Sequence, residues 1–284
     1  MTVEALKPGN VAVITGGASG IGLAAAKKFL ERGLKVCIAD RDADRLMQAG
    51  SALAAAGDCL IAPCDVAEPE ALTKLEGTVR GHFGRIDVLM NNAGIQPGSQ
   101  MFGAFANWDQ VIAVNLWGVI NGTRIFAPEM IAQGTPGLII NTGSKQGITT
   151  PPGDPAYNVS KAGVKVFTEA LQHELRSLEG CRLTAHLLIP GFVFTALTAK
   201  GRGEKPAGAW TPEQTVDFML ESLARGDFYI LCPDNEVARP TDEKRIAWAA
   251  GDIIENRPPL SRWHPDYGER FTRFLDKPRG GQNG

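Results

Sequence analysis

The sequence predicts an α/β fold: one doubly wound domain in which helices cover both faces of a seven-stranded, mostly parallel sheet. Two observations predict this fold. Short apolar runs alternate with longer segments that have the spacing of amphipathic helices. Several of the short runs are apolar almost throughout, which is typical of strands that are buried on both faces. Strand–helix alternation of this kind implies right-handed βαβ units and hence a parallel, Rossmann-like sheet.

The elements follow in chain order. The predicted strands cover residues 10–15, 35–40, 59–63, 86–91, 137–143, 182–190 and 228–232. Helical spacing is present in "GLAAAKKFLERG", "ADRLMQAGSALAAAG", "EALTKLEGTVRGHFG" and the long run from Trp108 to Gln133. After Cys232 the pattern weakens. We therefore expect a main domain over residues 1–235 and a C-terminal helical extension of the same domain over residues 236–284, ending in a frayed tail, "KPRGGQNG".

Composition excludes several classes of protein. The 284 residues carry a net charge of −2, so the chain has no electrostatic footprint for nucleic acid. The five cysteines form no CxxC pair and no histidine cluster accompanies them, so we expect no metal site and buried thiols in a reducing compartment. Because no leader and no run of about 18 apolar residues is present, we expect a cytoplasmic protein without a membrane partner.

A glycine cluster, "TGGASGIG", follows the first strand and predicts a dinucleotide phosphate site. Gly16, Gly20 and Gly22 permit a tight turn and let backbone amides approach a pyrophosphate. Ser19 and Ile21, on either side of Gly20, are also predicted to contact the cofactor. The N-terminus of the next helix adds a partial positive charge. The literal fingerprint G-x-G-x-x-A occurs only as "GIGLAA", a few residues late. A glycine turn after a strand can also serve geometry alone.

Asp40 ends the second strand, 18 residues after Gly22. A carboxylate at this position can accept hydrogen bonds from both ribose hydroxyls of NAD and would repel the additional phosphate of NADP. Alternatively, Asp40 only caps the next helix. Arg41 could attract a 2′-phosphate, whereas Ser19 adds no second positive charge. The sequence therefore favours NAD and leaves NADP possible.

Two further loops follow strands at the same edge of the sheet, where ligands bind in open α/β folds. Asp65 and Val66 lie in "CDV" after the third strand, and Asp65 could accept from the adenine amino group. Asn92, Ala93 and Gly94 lie in "NNAG" after the fourth, where small residues would let the chain run close to a ribose. Either loop could be only a turn, but their joint position favours a dinucleotide site.

The fifth strand leads to Ser144, and Asp154 followed by Pro155 predicts a helix start. Tyr157 and Lys161 are four residues apart and so share one face of that helix. An ammonium beside a phenol, joined by the positive ring of an oxidised nicotinamide, favours the phenolate, so Tyr157 could act as acid or base. Ser144 would bind the substrate oxygen while hydride moves. Alternatively, Ser144 is a turn serine and the other two form an amphipathic face.

Together these motifs resemble the short-chain dehydrogenase/reductase family. The matching segments, in family order, are TGGASGIG (15–22), Asp40, CDV (64–66), NNAG (91–94), Asn115 in "VNLWGVING", Ser144, YNVSK (157–161) and PGFVFT (190–195). The Tyr–Lys pair alone arises by chance in many proteins, but the serine 13 residues earlier and the glycine motif make the set specific.

The resemblance implies four catalytic roles. Tyr157 would be the general acid/base, and Ser144 would hold the substrate oxygen. Lys161 would bind ribose hydroxyls and lower the pKa of Tyr157. Asn115 would position a water that relays protons to Lys161, although it could equally be a buried helix asparagine that satisfies backbone groups.

The resemblance also implies a cradle for the nicotinamide and its carboxamide. Its members would be Pro190, Gly191, Val193 and Thr195. Thr195 could instead only cap the helix that follows the sixth strand.

The sequence indicates a class of substrate but does not identify the substrate. Residues 192–212 contain glycines and charges among apolar residues, as a mobile substrate lid does. The pocket-lining candidates are Ile95, Gln96, Gln146 and this segment, in which Phe192, Phe194 and Trp210 are the aromatic members. The aromatic members suggest an apolar or aromatic secondary alcohol or ketone, and parts of the chain look similar to family members that oxidise benzylic alcohols. Each aromatic residue could equally pack in the core.

The sequence thus predicts that residues 1–235 form an NAD(P)-binding catalytic domain of a short-chain alcohol dehydrogenase or carbonyl reductase. Two alternatives are a nucleotide-sugar epimerase or dehydratase, which the TGxxxGxG spacing and the lack of a large substrate domain disfavour, and a non-catalytic dinucleotide sensor, which the intact Ser–Tyr–Lys set disfavours. The family implies a homodimer or homotetramer formed through the long helices. Aromatic residues that suit an interface also occur in the extension; these are Trp248, Trp263, His264 and Tyr267.

Overall fold

The computed structural model of the protein describes residues 4–199 and 201–277. Lys200, which belongs to the predicted lid, lies outside the described residues. So do residues 278–284, which make up nearly all of the predicted tail.

All seven predicted strands are present and form one sheet. They are β1 (Val11–Thr15), β2 (Lys35–Asp40), β3 (Cys59–Pro63), β4 (Val88–Asn91), β5 (Gly137–Thr142), β6 (Leu183–Ile189) and β7 (Tyr229–Leu231). Their order across the sheet is β3-β2-β1-β4-β5-β6-β7, and every neighbouring pair in it is parallel. The chain order reverses between β1 and β4, and a reversal of this kind places a ligand crevice at the carboxyl ends of the two strands.

The helices cover both faces of the sheet, which confirms the doubly wound fold. They are α1 (Gly20–Glu31), α2 (Ala43–Leu53), α3 (Pro69–Phe83), α4 (Phe105–Ile112), α5 (Gly118–Ala132), α6 (Gln146–Thr149), α7 (Pro155–Ser177), α8 (Ala196–Ala199), α9 (Pro212–Arg225), α10 (Arg239–Ile254) and α11 (Gly268–Asp276). Helices α1, α2 and α9 pack on one face, and α3, α5 and α7 pack on the other.

Strand β1 shows why its sequence is apolar throughout. Ala12 and Ile14 pack into the core beneath α1, α2 and α9, whereas Val11 and Val13 pack into the core on the opposite face. All four side chains are fully buried. A strand whose two faces are both buried is apolar at every position and does not alternate apolar and polar residues. This continuous apolar run is the pattern that predicts the parallel sheet.

The predicted long helix is interrupted. Helices α4 and α5 are joined by a π-helical turn, Ala113–Trp117, and together they run from Phe105 to Ala132. A π turn inserts one residue into the helical ladder and is frequent at functional sites. Here it places Asn115 on the buried side of the helix, with none of its surface exposed.

Helix α7 starts where the sequence predicts, but another residue supplies its capping hydrogen bond. Asp154 stands directly before Pro155, as expected, but its carboxylate makes no capping bond. Instead, Ser99 Oγ accepts from the backbone N–H of Ala156 at 2.9 Å and donates to Asp154 Oδ1 at 2.6 Å. Asp154 is therefore the N-cap residue, as predicted, but Ser99, 55 residues earlier in the chain, supplies the capping hydrogen bond.

The C-terminal extension packs around its own aromatic centre. Trp248, on α10, lies 5.2 Å from the ring centres of both Phe271 and Phe274, on α11, and is 4% exposed. The expectation that Trp248 suits an interface is wrong for this reason. Trp263 remains 38% exposed. Helix α10 also packs against α6, which begins two residues after Ser144.

Two absences hold within residues 4–199 and 201–277. None of the helices there is both long and apolar enough to cross a bilayer. No group of three or more His, Cys, Asp or Glu side chains there is arranged to hold a metal ion.

Candidate active site

A cleft of about 470 Å³ opens along the edge of the sheet at which the strands end. Its walls come from the segments that follow β1 to β6. Every residue predicted to be catalytic or to bind the cofactor, except Gly22 and Asn115, lines it. The lining residues among the predicted set are Gly16, Ser19, Gly20, Ile21, Asp40, Arg41, Asp65, Val66, Asn92, Ala93, Gly94, Ser144, Tyr157, Lys161, Pro190, Gly191, Val193 and Thr195. The fold thus brings together residues that are far apart in the sequence.

The glycine turn has the backbone that the sequence predicts. Gly16 and Gly20 adopt φ angles of +64° and +54°, a region that favours glycine. Gly22 does not line the cleft, but a Cβ there would stand 2.3 Å from the carbonyl oxygen of Gly16. The first turn of α1 can therefore lie directly against the loop only because residue 22 has no side chain.

Thr15 joins the glycine turn to the loop after β4. Its Oγ accepts hydrogen bonds from the backbone N–H groups of Asn92 at 3.0 Å and Ala93 at 3.2 Å. In return, Asn92 Nδ2 donates to the carbonyl oxygens of Thr15 and Gly16, each at 3.2 Å. Sequence reasoning did not identify Thr15 as a site residue, although its place at the end of an otherwise apolar strand was a visible signal.

Asp40 does not cap α2. That position belongs to Asp42, whose carboxylate accepts from the backbone N–H of Arg45 at 3.1 Å. The carboxylate of Asp40 accepts instead from the backbone N–H groups of Ala18 at 3.3 Å and Asp42 at 3.2 Å, so it is fixed against the glycine turn. Arg45 also lines the cleft, beside Arg41. Sequence reasoning missed Arg45, because an arginine in the first turn of a helix gives no signal of its own.

The loop after β3 is both a turn and a wall of the cleft. Asp65 Oδ1 accepts from the backbone N–H of Ala67 at 3.0 Å, which closes the turn. The side chain of Val66 lies against Gly118, at the start of α5, where a Cβ would approach it to 2.8 Å. The loop is therefore a turn, as the alternative interpretation held, and it also lines the cleft.

Ser144, Tyr157 and Lys161 meet at one end of the cleft. Tyr157 and Lys161 are 8% and 4% exposed, and the amine of Lys161 lies 5.7 Å from the centre of the Tyr157 ring. Lys161 Nζ donates to the carbonyl oxygen of Thr142 at 2.8 Å. Ser144 Oγ accepts from the backbone N–H of Gln146 at 3.1 Å and interacts with the phenol of Tyr157. The arrangement can bind a substrate oxygen between two hydroxyl groups with an amine behind them.

Burial controls the protonation of this group. Burial raises the pKa of Tyr157 to about 12; the hydrogen bond with Ser144 opposes this shift and the carboxylate of Asp154 adds to it. Burial also lowers the pKa of Lys161 to about 8. The sequence predicts that Lys161 and the positive ring of a bound nicotinamide together favour the phenolate of Tyr157. The protein's own residues act in the opposite direction, because loss of hydration disfavours the charged form of both Tyr157 and Lys161.

Asn115, in the π turn, connects that turn to the loop after β4 by hydrogen bonds. Its Oδ1 accepts from the backbone N–H of Ile95 at 2.8 Å, and its Nδ2 donates to the carbonyl oxygen of the same residue at 2.9 Å. Nδ2 also lies 3.4 Å from Ser160 Oγ, one residue before Lys161. A Cβ on Gly94 would stand 3.5 Å from Asn115 Oδ1 and 3.8 Å from Lys161 Nζ. Asn115 therefore satisfies backbone groups, as the alternative held, and does so beside Lys161.

The predicted lid is closed at its base by a short ladder. Phe194 N–H donates to the carbonyl oxygen of Trp210 at 2.9 Å, and Trp210 N–H donates to that of Phe192 at 2.8 Å. Thr195 then reaches the glycine turn, where its Cγ2 lies 3.1 Å from the position of a Cβ on Gly20. The glycine turn and the predicted nicotinamide cradle are therefore adjacent.

The predicted aromatic lining is not found. Among the residues that the structure describes, Phe192, Phe194 and Trp210 do not line the cleft. Trp210 packs against Phe218 with ring centres 5.8 Å apart, and the guanidinium of Arg202 lies 5.7 Å from the ring of Phe192. Gln96 and Gln146 are also outside the lining set, whereas the predicted Ile95 belongs to it. Ala196, Leu197 and Thr198, which belong to the predicted lid segment, also line the cleft. Further lining residues that the sequence did not indicate include Val114 and Thr142.

Comparison with known proteins gives consistent matches. A family model for short chain dehydrogenases matches residues 10–206. The Mycobacterium tuberculosis protein SadH is 41% identical over 169 residues, which span 59% of this chain and 61% of SadH. The match thus covers about three-fifths of that relative's length. An NADP-dependent (R)-specific alcohol dehydrogenase of Lentilactobacillus kefiri is 35% identical over 250 residues, 87% of this chain and 95% of that enzyme.

The solved structures agree with the sequence matches. A short-chain dehydrogenase/reductase of Burkholderia phymatum, in complex with NAD, superposes with a TM-score of 0.80 at 31% identity. The superposition covers 89% of this chain and 96% of that one. The motifs, the sheet order and these matches lead to one conclusion: the chain belongs to the short-chain dehydrogenase/reductase family of oxidoreductases.

Proposed function

We propose that this protein is an NAD-dependent oxidoreductase that transfers hydride between the nicotinamide and a secondary alcohol or ketone. The convergence of Ser144, Tyr157 and Lys161 at one end of a cleft that has the glycine turn in its wall carries the proposal. A non-catalytic dinucleotide sensor would have no need for a buried tyrosine–lysine pair, because burying both groups is costly.

The residues present fit a dinucleotide. The backbone of Gly16 and Gly20 leaves the cleft free of side chains, and a Cβ on Gly16 would collide with Ala93. We assign the phosphates to this turn, the adenosine ribose to Asp40 and the nicotinamide ribose to Lys161. Asp65 and Val66 would contact the adenine, and Pro190, Gly191, Val193 and Thr195 would hold the nicotinamide. The cofactor supplies the hydride acceptor or donor, a chemistry that no side chain provides.

The side chains manage the proton of the substrate. Tyr157 would give its proton to a ketone oxygen or take one from an alcohol, and Ser144 would hold that oxygen in place. Because burial favours the neutral phenol, Tyr157 is prepared to act as an acid. In the direction of oxidation the proton must leave Tyr157, and Lys161, whose pKa is lowered to about 8, is the adjacent group that can exchange it near neutral pH. We propose that Asn115 supports this exchange by placing a water beside Lys161.

Asp40 favours NAD over NADP. Its carboxylate is held at the end of β2 by two backbone N–H groups, so it cannot turn away from a 2′-phosphate without losing both bonds. The guanidinium of Arg45 forms an ion pair with Asp42, 3.1 Å away. Its positive charge is therefore already partly neutralised and attracts a 2′-phosphate less strongly. Relatives use either coenzyme: the Burkholderia structure holds NAD and the Lentilactobacillus enzyme is NADP-dependent.

Apolar side chains in the lining of the cleft favour apolar substituents on the substrate. Ile95, Val193 and Leu197 line the cleft, whereas the aromatic residues of the lid pack elsewhere. An apolar secondary alcohol is therefore the proposed substrate class, and a ring on the substrate is not required.

One assay tests the proposal. The protein is incubated with NAD or NADP and a panel of aliphatic, alicyclic and benzylic secondary alcohols, while the absorbance of the reduced nicotinamide is followed. We expect NAD-linked turnover that Tyr157→Phe abolishes while NAD still binds. Tyr229→Phe is the matched control, because Tyr229 is a half-exposed tyrosine that binds Glu169 on the far edge of the sheet. Full activity in Tyr157→Phe would remove this residue from the mechanism. Cofactor binding without turnover of any alcohol or ketone would indicate a sensor.

A further inference from the structure

Lys145 directly follows Ser144, yet its side chain does not line the cleft. The amine lies between two carboxylates of the C-terminal third of the chain: 2.6 Å from Asp242 Oδ2 and 3.3 Å from Asp234 Oδ2. The three side chains are 17%, 5% and 7% exposed in the order Lys145, Asp242, Asp234. Asp242 lies on α10, and Asp234 follows β7. This ion cluster therefore joins the loop of Ser144 to the C-terminal extension.

The ion cluster is also packed against the turn after β6. The backbone N–H of Lys145 donates to the carbonyl oxygen of Pro190 at 3.4 Å. A Cβ on Gly191 would stand 2.7 Å from Asp234 Oδ2 and 2.9 Å from Lys145 Nζ. Asp234 Oδ2 accepts, in addition, from the backbone N–H of Phe192 at 3.3 Å. The ion pair thus occupies the space that a side chain at position 191 would fill.

Asp234 also connects the ion cluster to the base of the predicted lid. Its second oxygen, Oδ1, accepts from the backbone N–H groups of Glu236 at 3.1 Å and Val237 at 2.8 Å, which fixes a tight turn. Within that turn, Asn235 Nδ2 donates to the carbonyl oxygens of Ala207 at 2.7 Å and Ala209 at 3.2 Å. One rigid turn therefore holds both ends of the lid segment.

The charges of the ion cluster indicate that it fixes the arrangement of the segments it joins more than it stabilises the fold. A single ammonium faces two carboxylates, and burial raises the pKa of the Asp242 carboxyl although Lys145 opposes this shift. Arg245 and Arg262 are the other charged groups near Asp242. Buried ion clusters contribute little net stability, because desolvation offsets their attraction, but they can fix one arrangement of the segments that they join.

We propose that Lys145 is a positioning residue: through Asp234 and Asp242 it fixes Ser144 relative to the Gly191 turn, and so makes the C-terminal extension part of the active-site scaffold. This inference rests on the proposed function, since Ser144 is the group that holds the substrate oxygen and Gly191 the group that contacts the nicotinamide. A misplacement of about 1 Å between such groups is enough to lower a rate by about 100-fold.

Two independent readouts test the inference. The first is kinetic: kcat and the KM for the alcohol in Lys145→Met, Lys145→Arg and Lys165→Met. The last variant is the matched control, because Lys165 forms a more exposed ion pair, 2.8 Å from Glu169, on α7. The second readout is the rate of backbone amide hydrogen exchange in residues 143–147 and 190–194, which needs neither substrate nor turnover. It therefore separates a failure of this inference from a failure of the proposed function.

We expect Lys145→Met to lower kcat/KM by about tenfold or more and to speed exchange in both segments while exchange in β1 to β3 is unchanged. Lys145→Arg should restore most of the activity and protection, and Lys165→Met should match the wild type. Should Lys145→Met not fold, Asp242→Asn, which keeps the lysine, carries the same readouts. A folded variant with wild-type kinetics, or one in which exchange rises evenly over the whole chain, would overturn the inference in favour of a purely structural ion cluster.

Discussion

The amine of Lys161 lies one helical turn beyond Tyr157 on α7, 5.7 Å from the centre of its ring, and both side chains are almost fully buried. Burial moves their pKa values in opposite directions, to about 12 for the tyrosine and about 8 for the lysine. Both shifts favour the neutral form. The pair therefore combines a firmly held phenol proton with an amine whose pKa lies close to neutral pH.

The pKa of Lys161 predicts a pH-dependent contribution to stability. Below about pH 8 the amine is charged in both the folded and the unfolded state, so the folded protein bears the full cost of burying the charge. Above about pH 10.5 it is neutral in both states and that cost is gone. The free energy of unfolding of the wild type, relative to Lys161→Met, should rise by up to about 3 kcal/mol between these limits. Urea unfolding of both proteins at pH values from about 7 to 10 measures the rise, and a pH-independent difference would contradict the assignment.

Gly22→Ala should damage the glycine turn. The added Cβ would lie 2.3 Å from the carbonyl oxygen of Gly16 and 2.7 Å from Asn92 Nδ2, so the loop must shift. We expect a loss of about 1–3 kcal/mol in the free energy of unfolding and at least tenfold weaker NAD binding. Gly77→Ala is the matched control: Gly77 is exposed on α3 and nothing lies within 4 Å of its added Cβ, so we expect a gain of about 0.5–1 kcal/mol. Denaturant unfolding and fluorescence titration with NADH measure the two effects, and NAD binding unchanged in Gly22→Ala would contradict the assigned role.

The sequence alone predicts those parts of the structure that are determined by a few consecutive residues. β1 is apolar throughout because both of its faces are buried, and Gly16 and Gly20 mark a backbone that other residues rarely adopt. The spacing of Tyr157 and Lys161 is one helical turn, so their shared face could be predicted once Pro155 marked the helix start. Each inference required only a few consecutive residues.

Asp40→Ala should shift coenzyme preference toward NADP. Two unit charges about 4 Å apart at an effective dielectric constant of 20 interact by about 4 kcal/mol, so removal of the carboxylate should raise the ratio of kcat/KM for NADP to that for NAD at least tenfold. Asp44→Ala, an exposed change in the first turn of α2, is the control and should leave the ratio unchanged. Steady-state kinetics with both coenzymes gives the ratios. An unchanged preference in Asp40→Ala would refute the role of this carboxylate.

Asn115→Ala should loosen the loop that carries Ile95. Both backbone groups of Ile95 lose their partner, and a buried unsatisfied group costs about 1–3 kcal/mol. Because Ile95 lines the cleft, we expect a higher KM for the alcohol together with lower stability. Asn107→Ala, on the same helical run, removes one bond, 2.8 Å to the carbonyl oxygen of Gly98, and is the control. Equal effects of the two substitutions on KM would show that Asn115 has no special influence on the site.

The parts that the sequence did not predict depend on long-range contacts. Ser99 caps α7 from 55 residues away, and Lys145 reaches Asp234 across 89 residues. Neither contact leaves a local pattern, because serine, lysine and aspartate are ordinary in loops. The aromatic residues of the lid were misassigned for a related reason: Trp210 could face a substrate or the core, and only the position of Phe218 decides between them. The pKa of Tyr157 likewise depends on burial, which the spacing of residues does not report.

Three exposed apolar side chains predict where a second copy of the chain binds. Trp117, in the π turn, is 50% exposed, and Val159 and Val166, two turns apart on α7, are 51% and 62% exposed. The π turn packs against α7, and apolar side chains that are exposed on neighbouring elements are typical of an interface. We expect the wild type to sediment as a dimer or tetramer and Trp117→Glu/Val166→Glu to sediment as a smaller species, because a charge inside a closely packed interface lacks a partner. Ile253→Glu is the control: Ile253 is 86% exposed at the end of α10, and its substitution should leave the assembly intact. Sedimentation velocity at several concentrations distinguishes these outcomes, and an assembly that survives the double substitution would place the interface elsewhere.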